Sequence, residues 1–206
     1  MSFIQQLNWR FATKHFDTEK PVSKTDLEQI LHAARMAPSS YGLQPYHILV
    51  VSDPEMRSKL QPVSYGQAQI VECSDLLVFC ARGDISARID NYAEIASNGD
   101  VAVLEKMSGY IQSMHNALDG LDASQQLAWA SKQAYIALGF ALAAASELSV
   151  DACPMEGFDS KSYSELLQLD SNLTPVVLCA LGHRTESDSV HSKTRFSETD
   201  LFSYHN

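Results

Sequence analysis

No stretch of this chain combines the length and apolarity needed to cross a bilayer. The apolar run from Tyr135 to Ala145 is too short, and Lys132 and Glu147 flank it. Residues Met1 to Gln6 carry no charged region followed by an apolar core, so they do not read as a secretory signal. These absences predict a cytoplasmic protein without a membrane partner. Positive charge is scarce. Lys and Arg number 15 against 25 Asp and Glu, for a net charge of -10 and a pI near 5.0. Nucleic-acid binding needs clustered cations to displace counterions from phosphates, and no basic run exists here. A polybasic membrane patch is missing for the same reason.

The four cysteines, Cys73, Cys80, Cys153 and Cys179, form no C-x-x-C pair, which argues against a zinc site and a disulfide framework. Cys80 and Cys179 lie in apolar runs, where a thiol behaves as a small hydrophobe. No G-x-G-x-x-G follows a strand, so a dedicated dinucleotide-binding fold is excluded. Internal repeats, low-complexity tracts and Pro/Gly/Ser linkers are all lacking. The 206 residues therefore read as one domain.

What is present has α+β character. Ser23 is positioned to cap a helix in which Leu27, Ile30, Leu31 and Ala34 recur at helical spacing, with Pro38 just beyond its end. His47 to Val51 reads as a strand, and Asp53-Pro54 opens a short helix to about Leu60. Leu76 to Cys80 and Val176 to Leu181 are apolar throughout, as buried strands are. Between them lies mostly helix. The Ala-rich segment from Ala123 to Leu148 is apolar on most sides, which places it in a core or a subunit interface. The more polar segment 85–120 reads as a helical excursion. The expected architecture is a modest sheet flanked by helices, with a long buried central helix.

Four separated segments carry the candidate chemistry. Arg10, Lys193 and Arg195 are cations in an acidic protein and suit a phosphate dianion; solvated surface charge is the alternative for each alone. Pro38-Ser39-Ser40 ends a helix and leads through a turn at Gly42 to Gln44-Pro45. Its serines suit ribityl or phosphate oxygens, or simple capping. Pro154-Met155-Glu156-Gly157-Phe158 reads as a loop after the long helix, where Gly157 lets backbone N–H groups approach a planar ligand or merely makes a turn. Gly182-His183-Arg184 closes the last strand.

Together, in this order and spacing, the segments resemble the nitroreductase family of FMN enzymes, from about Leu7 to Arg195. The resemblance implies a homodimer with FMN at two interface sites, NADH or NADPH as electron donor, and a small-molecule electron acceptor. It implies Arg10, Lys193 and Arg195 at the phosphate, Phe11 and Ala12 alongside with Ala12 presenting backbone, and Lys14 at the pyrimidine edge. It implies Pro38, Ser39, Ser40, Gly42 and Gln44 near the ribityl chain, Ser40 from the second subunit. Backbone N–H groups of Glu156 and Gly157 would face flavin N5 and O4, and Pro154 and Met155 would cover one ring face. Relatives with Asn and Lys after the second helix pair have Gly66 and Gln69 here, which leaves Gln67 and Gln69 as candidate donors. Some relatives have Asn at Gly42, and Phe11 replaces a commoner polar residue.

No catalytic acid or base is evident, and hydride transfer requires none. Tyr65, Tyr110 and Ile111 are candidates for the acceptor pocket, with packing as the alternative. The expected activity is reduction of nitroaromatics, quinones or related acceptors by ping-pong hydride transfer. Two other readings use the same scaffold: dehalogenation or flavin modification, and flavin binding without turnover. A thiol enzyme using Cys153 lacks a neighbouring His.

Overall fold

The computed structural model describes residues 2–188 and 192–205. Four strands form one antiparallel sheet in the order β1 (Tyr46–Val51), β2 (Asp75–Arg82), β4 (Leu173–Gly182), β3 (Asp151–Met155). The strands expected at His47, Leu76 and Val176 are β1, β2 and β4. Strand β2 is central and buried along nearly its whole length, which explains the unbroken apolar run Leu76–Ala81 between Asp75 and Arg82. Its side chains alternate between two cores. Leu77 and Phe79 pack under α2 (Lys24–Arg35) and α7 (Ala123–Glu147), whereas Leu76, Val78 and Cys80 face Leu60, Ile70 and Tyr163.

The segment Pro154–Phe158, expected as a loop after the long helix, is loop only in part: β3 pairs with β4 from Asp151↔Gly182 to Met155↔Leu178. Asp-Ala-Cys-Pro-Met has weak strand propensity, and pairing with β4 overrides it. Strand β3 is the last of the sheet, where a proline, which has no N–H to donate, is tolerated. The turn begins only at Glu156.

Local chemistry sets the helix starts. Ser23 Oγ accepts from Asp26 N at 3.1 Å, and Asp53 accepts from Glu55 N and Met56 N at the start of α3 (Pro54–Leu60). Asp122 and Gln125 form a capping box on α7. Helix α7 buries Ala130, Ala134, Ala137 and Ala141, small side chains that let it lie close to α2 and the sheet. Its opposite face leaves Tyr135, Ile136 and Phe140 about 40 % exposed in the single chain.

The excursion is a helical hairpin, α5 (Ile85–Ser97) and α6 (Val101–Leu118), turned by Asn98 and Gly99 with φ of 51° and 75°. Ile85, Ile89, Met114 and Leu118 anchor it against Leu43 and Ala81. His115 ties its two helices, with Nδ1 2.9 Å from Asp119 and Nε2 3.3 Å from Asp90. The bond to Asp119 raises the imidazole above its ordinary pKa, and Asp90 adds to it. Among the described residues, no helix is long and apolar enough to cross a membrane.

The N-terminal segment beyond α1 (Phe3–Trp9) crosses the sheet edge. Ala12 bridges Ala152, and Phe16 bridges Arg184. Gly182 permits the second crossing, since a Cβ there would stand 2.5 Å from Phe16 Cδ1. Arg10 to Lys14 are thereby laid beside β3.

Candidate functional site

Cations converge where α1 ends. Arg10, its C-cap residue, is half-buried, and burial lowers its pKa first, with further lowering from the charge of Arg195. Lys193 Nζ donates to the Leu7 and Asn8 carbonyls at 2.7 and 2.5 Å, near the C-terminal end of the α1 helix. Its pKa is also lowered, by desolvation and then by Arg10, Arg195 and Arg184. Among the described residues, Arg10, Lys193 and Arg195 form no salt bridge. Like charges so grouped repel one another unless an anion joins them, and a phosphate dianion with its acceptor oxygens matches the donors.

Arg184 stands in the last candidate segment without an expected role, and its charge joins this cluster. Its guanidinium lies 4.3 Å from the ring centroid of Trp9 and 4.4 Å from that of Phe11. It is ion-paired to Asp151, with Arg184 Nε donating at 2.7 Å and Arg184 N at 2.8 Å. Phe11 is thus a stacking platform and needs no polar group. The sequence held one clue, Arg184 directly after Gly182-His183, but its partner Asp151 is distant in the chain.

Lys14, from the N-terminal crossing, and Gln69, the first residue of the short helix α4 (Gln69–Glu72), meet at Cys153 of β3. Lys14 Nζ and Gln69 Nε2 each stand 3.9 Å from Cys153 Sγ. Gln67 and Gln69, equivalent in the sequence, are separated by the fold. Gln67 Nε2 donates to Gly157 O at 2.7 Å and to Ser64 O at 3.0 Å, so its amide is spent on fixing the turn after β3. A Cβ on Gly157 would press on that amide at 3.1 Å. Tyr65 and Gly66 both have left-handed φ, 56° and 71°, a conformation that Asn and Gly tolerate best. Tyr65 packs near Gly157 and is otherwise exposed. The Ser64–Tyr163 hydroxyl contact at 2.7 Å pins this loop from below.

Pro154, Met155 and Glu156 border an apolar cleft of about 550 Å³, with Tyr135 and Leu138 opposite. Tyr135 donates to Glu156 Oε1 at 2.6 Å, and burial followed by that carboxylate raises the phenol pKa. Burial pushes the thiols of Cys73 and Cys80 up to about 12, so they stay protonated at neutral pH.

The remaining candidates form a second set. Ser39 Oγ accepts from Gln44 N at 2.9 Å, and Gln44 Nε2 donates to Arg35 O at 2.7 Å, closing the end of α2. Ser40 N donates to Gln133 Oε1 on α7, while Ser40 Oγ makes no hydrogen bond among the described residues. Gly42, with φ 72°, meets Tyr92. Tyr110 packs edge-on against Tyr41 at 6.2 Å, whereas neighbouring Ile111 lines a groove of about 590 Å³ between α5 and α6. No hydrogen bond among the described residues joins Pro38–Gln44 directly to the cation cluster or to Pro154–Gly157.

The Nitroreductase family model matches residues 7–183. The chain belongs to the nitroreductase family. A Staphylococcus epidermidis relative named "Putative NAD(P)H nitroreductase SERP2086" is 34% identical, over 98% of this chain and 96% of its own. Among solved structures, YdfN of Bacillus subtilis superposes with a TM-score of 0.88 at 20% identity, covering 98% of both chains. An Exiguobacterium sibiricum protein solved in complex with FMN matches with the same TM-score and identity, over 100% of this chain and 98% of that one. At such identity these two structures establish the nitroreductase fold. Arg10 and Lys14 lie on the N-terminal crossing and Cys153 on β3, with Glu156-Gly157 just after it; Gln69 comes from α4, and Lys193 and Arg195 from the segment after β4.

Proposed function

We propose that this nitroreductase-family chain is an FMN-dependent NAD(P)H oxidoreductase that reduces nitroaromatics, quinones or related acceptors. The observation that carries the reading is the cluster of Arg10, Lys193 and Arg195, cations without carboxylate partners among the described residues, beside the donors Lys14 and Gln69. When bound, FMN supplies the two-electron chemistry that links a nicotinamide donor to the acceptor. The chain supplies binding and orientation. Arg10, Lys193 and Arg195 hold the phosphate, with Ala12 presenting backbone. Lys14 and Gln69 face the pyrimidine edge, near Gly66. Pro154 and Met155 wall one ring face, and the turn at Glu156-Gly157 presents N–H groups that Gln67 holds in place.

The Pro38–Gln44 set completes the site from a second copy of the chain, with Ser40 toward the ribityl group. The exposed Tyr135, Ile136 and Phe140 of α7, together with Phe3 and Ile4 of α1, provide the apolar surface of that homodimer. Tyr65 and Tyr110 border the acceptor pocket, and that acceptor is a small molecule, whereas Ile111 lines the α5–α6 groove. The naming of the S. epidermidis relative as an NAD(P)H nitroreductase and the FMN complex of the E. sibiricum neighbour support the assignment.

Donor and acceptor take turns in one pocket, because the chain has no separate dinucleotide fold. Initial rates with NADH or NADPH varied at several quinone concentrations give parallel double-reciprocal lines. Intersecting lines would show both substrates bound together and overturn the ping-pong order.

A further inference from the structure

Cys153 is fully buried in β3, and two strong donors aim at its sulfur, Lys14 Nζ and Gln69 Nε2, both at 3.9 Å. Gln69 is only 5% exposed, yet its amide N–H groups have no oxygen or nitrogen acceptor among the described residues. Buried amides are almost always satisfied, and among the described residues this one has only the Cys153 sulfur as its partner. Gln67 shows the contrast, with two carbonyl acceptors at 3.0 Å or less. Sulfur is a weak acceptor. A thiol at this point steers both donors without consuming them. Cys153 Sγ lies 3.8 Å from the Pro154 carbonyl, to which the thiol can donate while its lone pairs accept from Lys14 and Gln69. Burial raises the thiol pKa, against a smaller lowering by Lys14, so the group is a neutral S–H and does not lock Lys14 in an ion pair.

We propose that Cys153 is a positioning residue that holds Lys14 and Gln69 toward the flavin pyrimidine edge and, through Lys14, favours the reduced flavin. The inference rests on the FMN reading above. A fixed cation at that edge stabilises the anionic reduced ring more than the neutral oxidised one. Losing the sulfur frees the Lys14 side chain and weakens that bias.

The test is spectroelectrochemical titration of the FMN-loaded wild type, Cys153→Val, Cys153→Ser and Lys14→Met, with apoprotein melting temperatures alongside. Cys153→Val fills the space but removes the acceptor. It should lower the preference for reduced over oxidised FMN roughly 3- to 10-fold, a fall of about 15–30 mV at ~30 mV per decade. Cys153→Ser keeps an acceptor and restores at least half of that loss. Adding Cys153→Val to Lys14→Met produces no further fall, because the cysteine acts through the lysine. If Val does not fold, Cys153→Ala reports the same shift. A packing role gives the reverse order: Val keeps the wild-type potential and melting temperature while Ser melts lower. That result, or full additivity with Lys14→Met, overturns the proposal. A wild type that binds no FMN overturns the FMN reading itself, whereas an unchanged potential in yellow Cys153→Val overturns the role of the cysteine alone.

Discussion

Asp151→Ala lowers the melting temperature by roughly 6–20 °C. Asp151 is 4% exposed and accepts from Arg184 N, Arg184 Nε and, at 3.4 Å, from Thr13 Oγ1. Arg184 is held between Trp9 and Phe11, so its guanidinium has little access to water. Removing the carboxylate leaves an uncompensated buried charge, which costs about 3–5 kcal/mol. For a chain of this size each kcal/mol moves the midpoint by about 2–4 °C. Asp151→Asn loses less, since its amide oxygen still accepts one bond. Differential scanning calorimetry of the three proteins measures the effect. A shift below about 2 °C for Asp151→Ala would mean that water already solvates the pair, since such a shift corresponds to about 1 kcal/mol or less.

Arg195→Ala weakens FMN binding by roughly 10- to 100-fold, the equivalent of about 1.5–3 kcal/mol for a charged hydrogen bond. Arg10→Ala weakens it at least as much. The Arg10 guanidinium is half-buried and its charge is opposed by Arg195, so in the free protein it loses solvation that only a bound anion restores. The two effects are less than additive, because the arginines share one phosphate. Quenching of flavin fluorescence on titrating apoprotein into FMN gives the constants. Lys20→Ala serves as control, since Lys20 is exposed and pairs with Asp17 away from the cluster. Equal losses in Arg195→Ala and Lys20→Ala would reduce the cluster to general surface charge.

The elements legible in the sequence are those whose signal is local. Strands β2 and β4 are buried centrally, so Leu76–Ala81 and Val176–Leu181 are apolar whichever way each side chain points. Helix α7 announces itself by its length and by a run of alanines that leaves it apolar on most sides; its capping box at Asp122 and Gln125 becomes visible only in the structure. Strand β3 was hidden because Cys153 and Pro154 say little about strand; β4 supplies the order. The site divides in the same way. Arg10, Lys193 and Arg195 were recognisable as cations needing a purpose, but Arg184 gains its place from Asp151, Trp9 and Phe11, a set no local pattern reveals. Gln67 and Gln69 were interchangeable until the fold turned one to Gly157 O and the other to Cys153 Sγ. Tyr110 and Ile111, adjacent on α6, likewise part company, one to Tyr41 and one to the α5–α6 groove.

The central claim is that the cation cluster and the β3 edge hold an FMN that NADH or NADPH can reduce. Anaerobic titration of the purified yellow protein with each nicotinamide tests it most directly, followed by heat release and chromatography of the flavin. The account predicts FMN in the released fraction and loss of the visible flavin absorbance at about one nicotinamide per flavin, the ratio of a two-electron hydride transfer. Recovery of FAD, failure to retain any flavin after reconstitution, or a protein that stays yellow with both nicotinamides would contradict it.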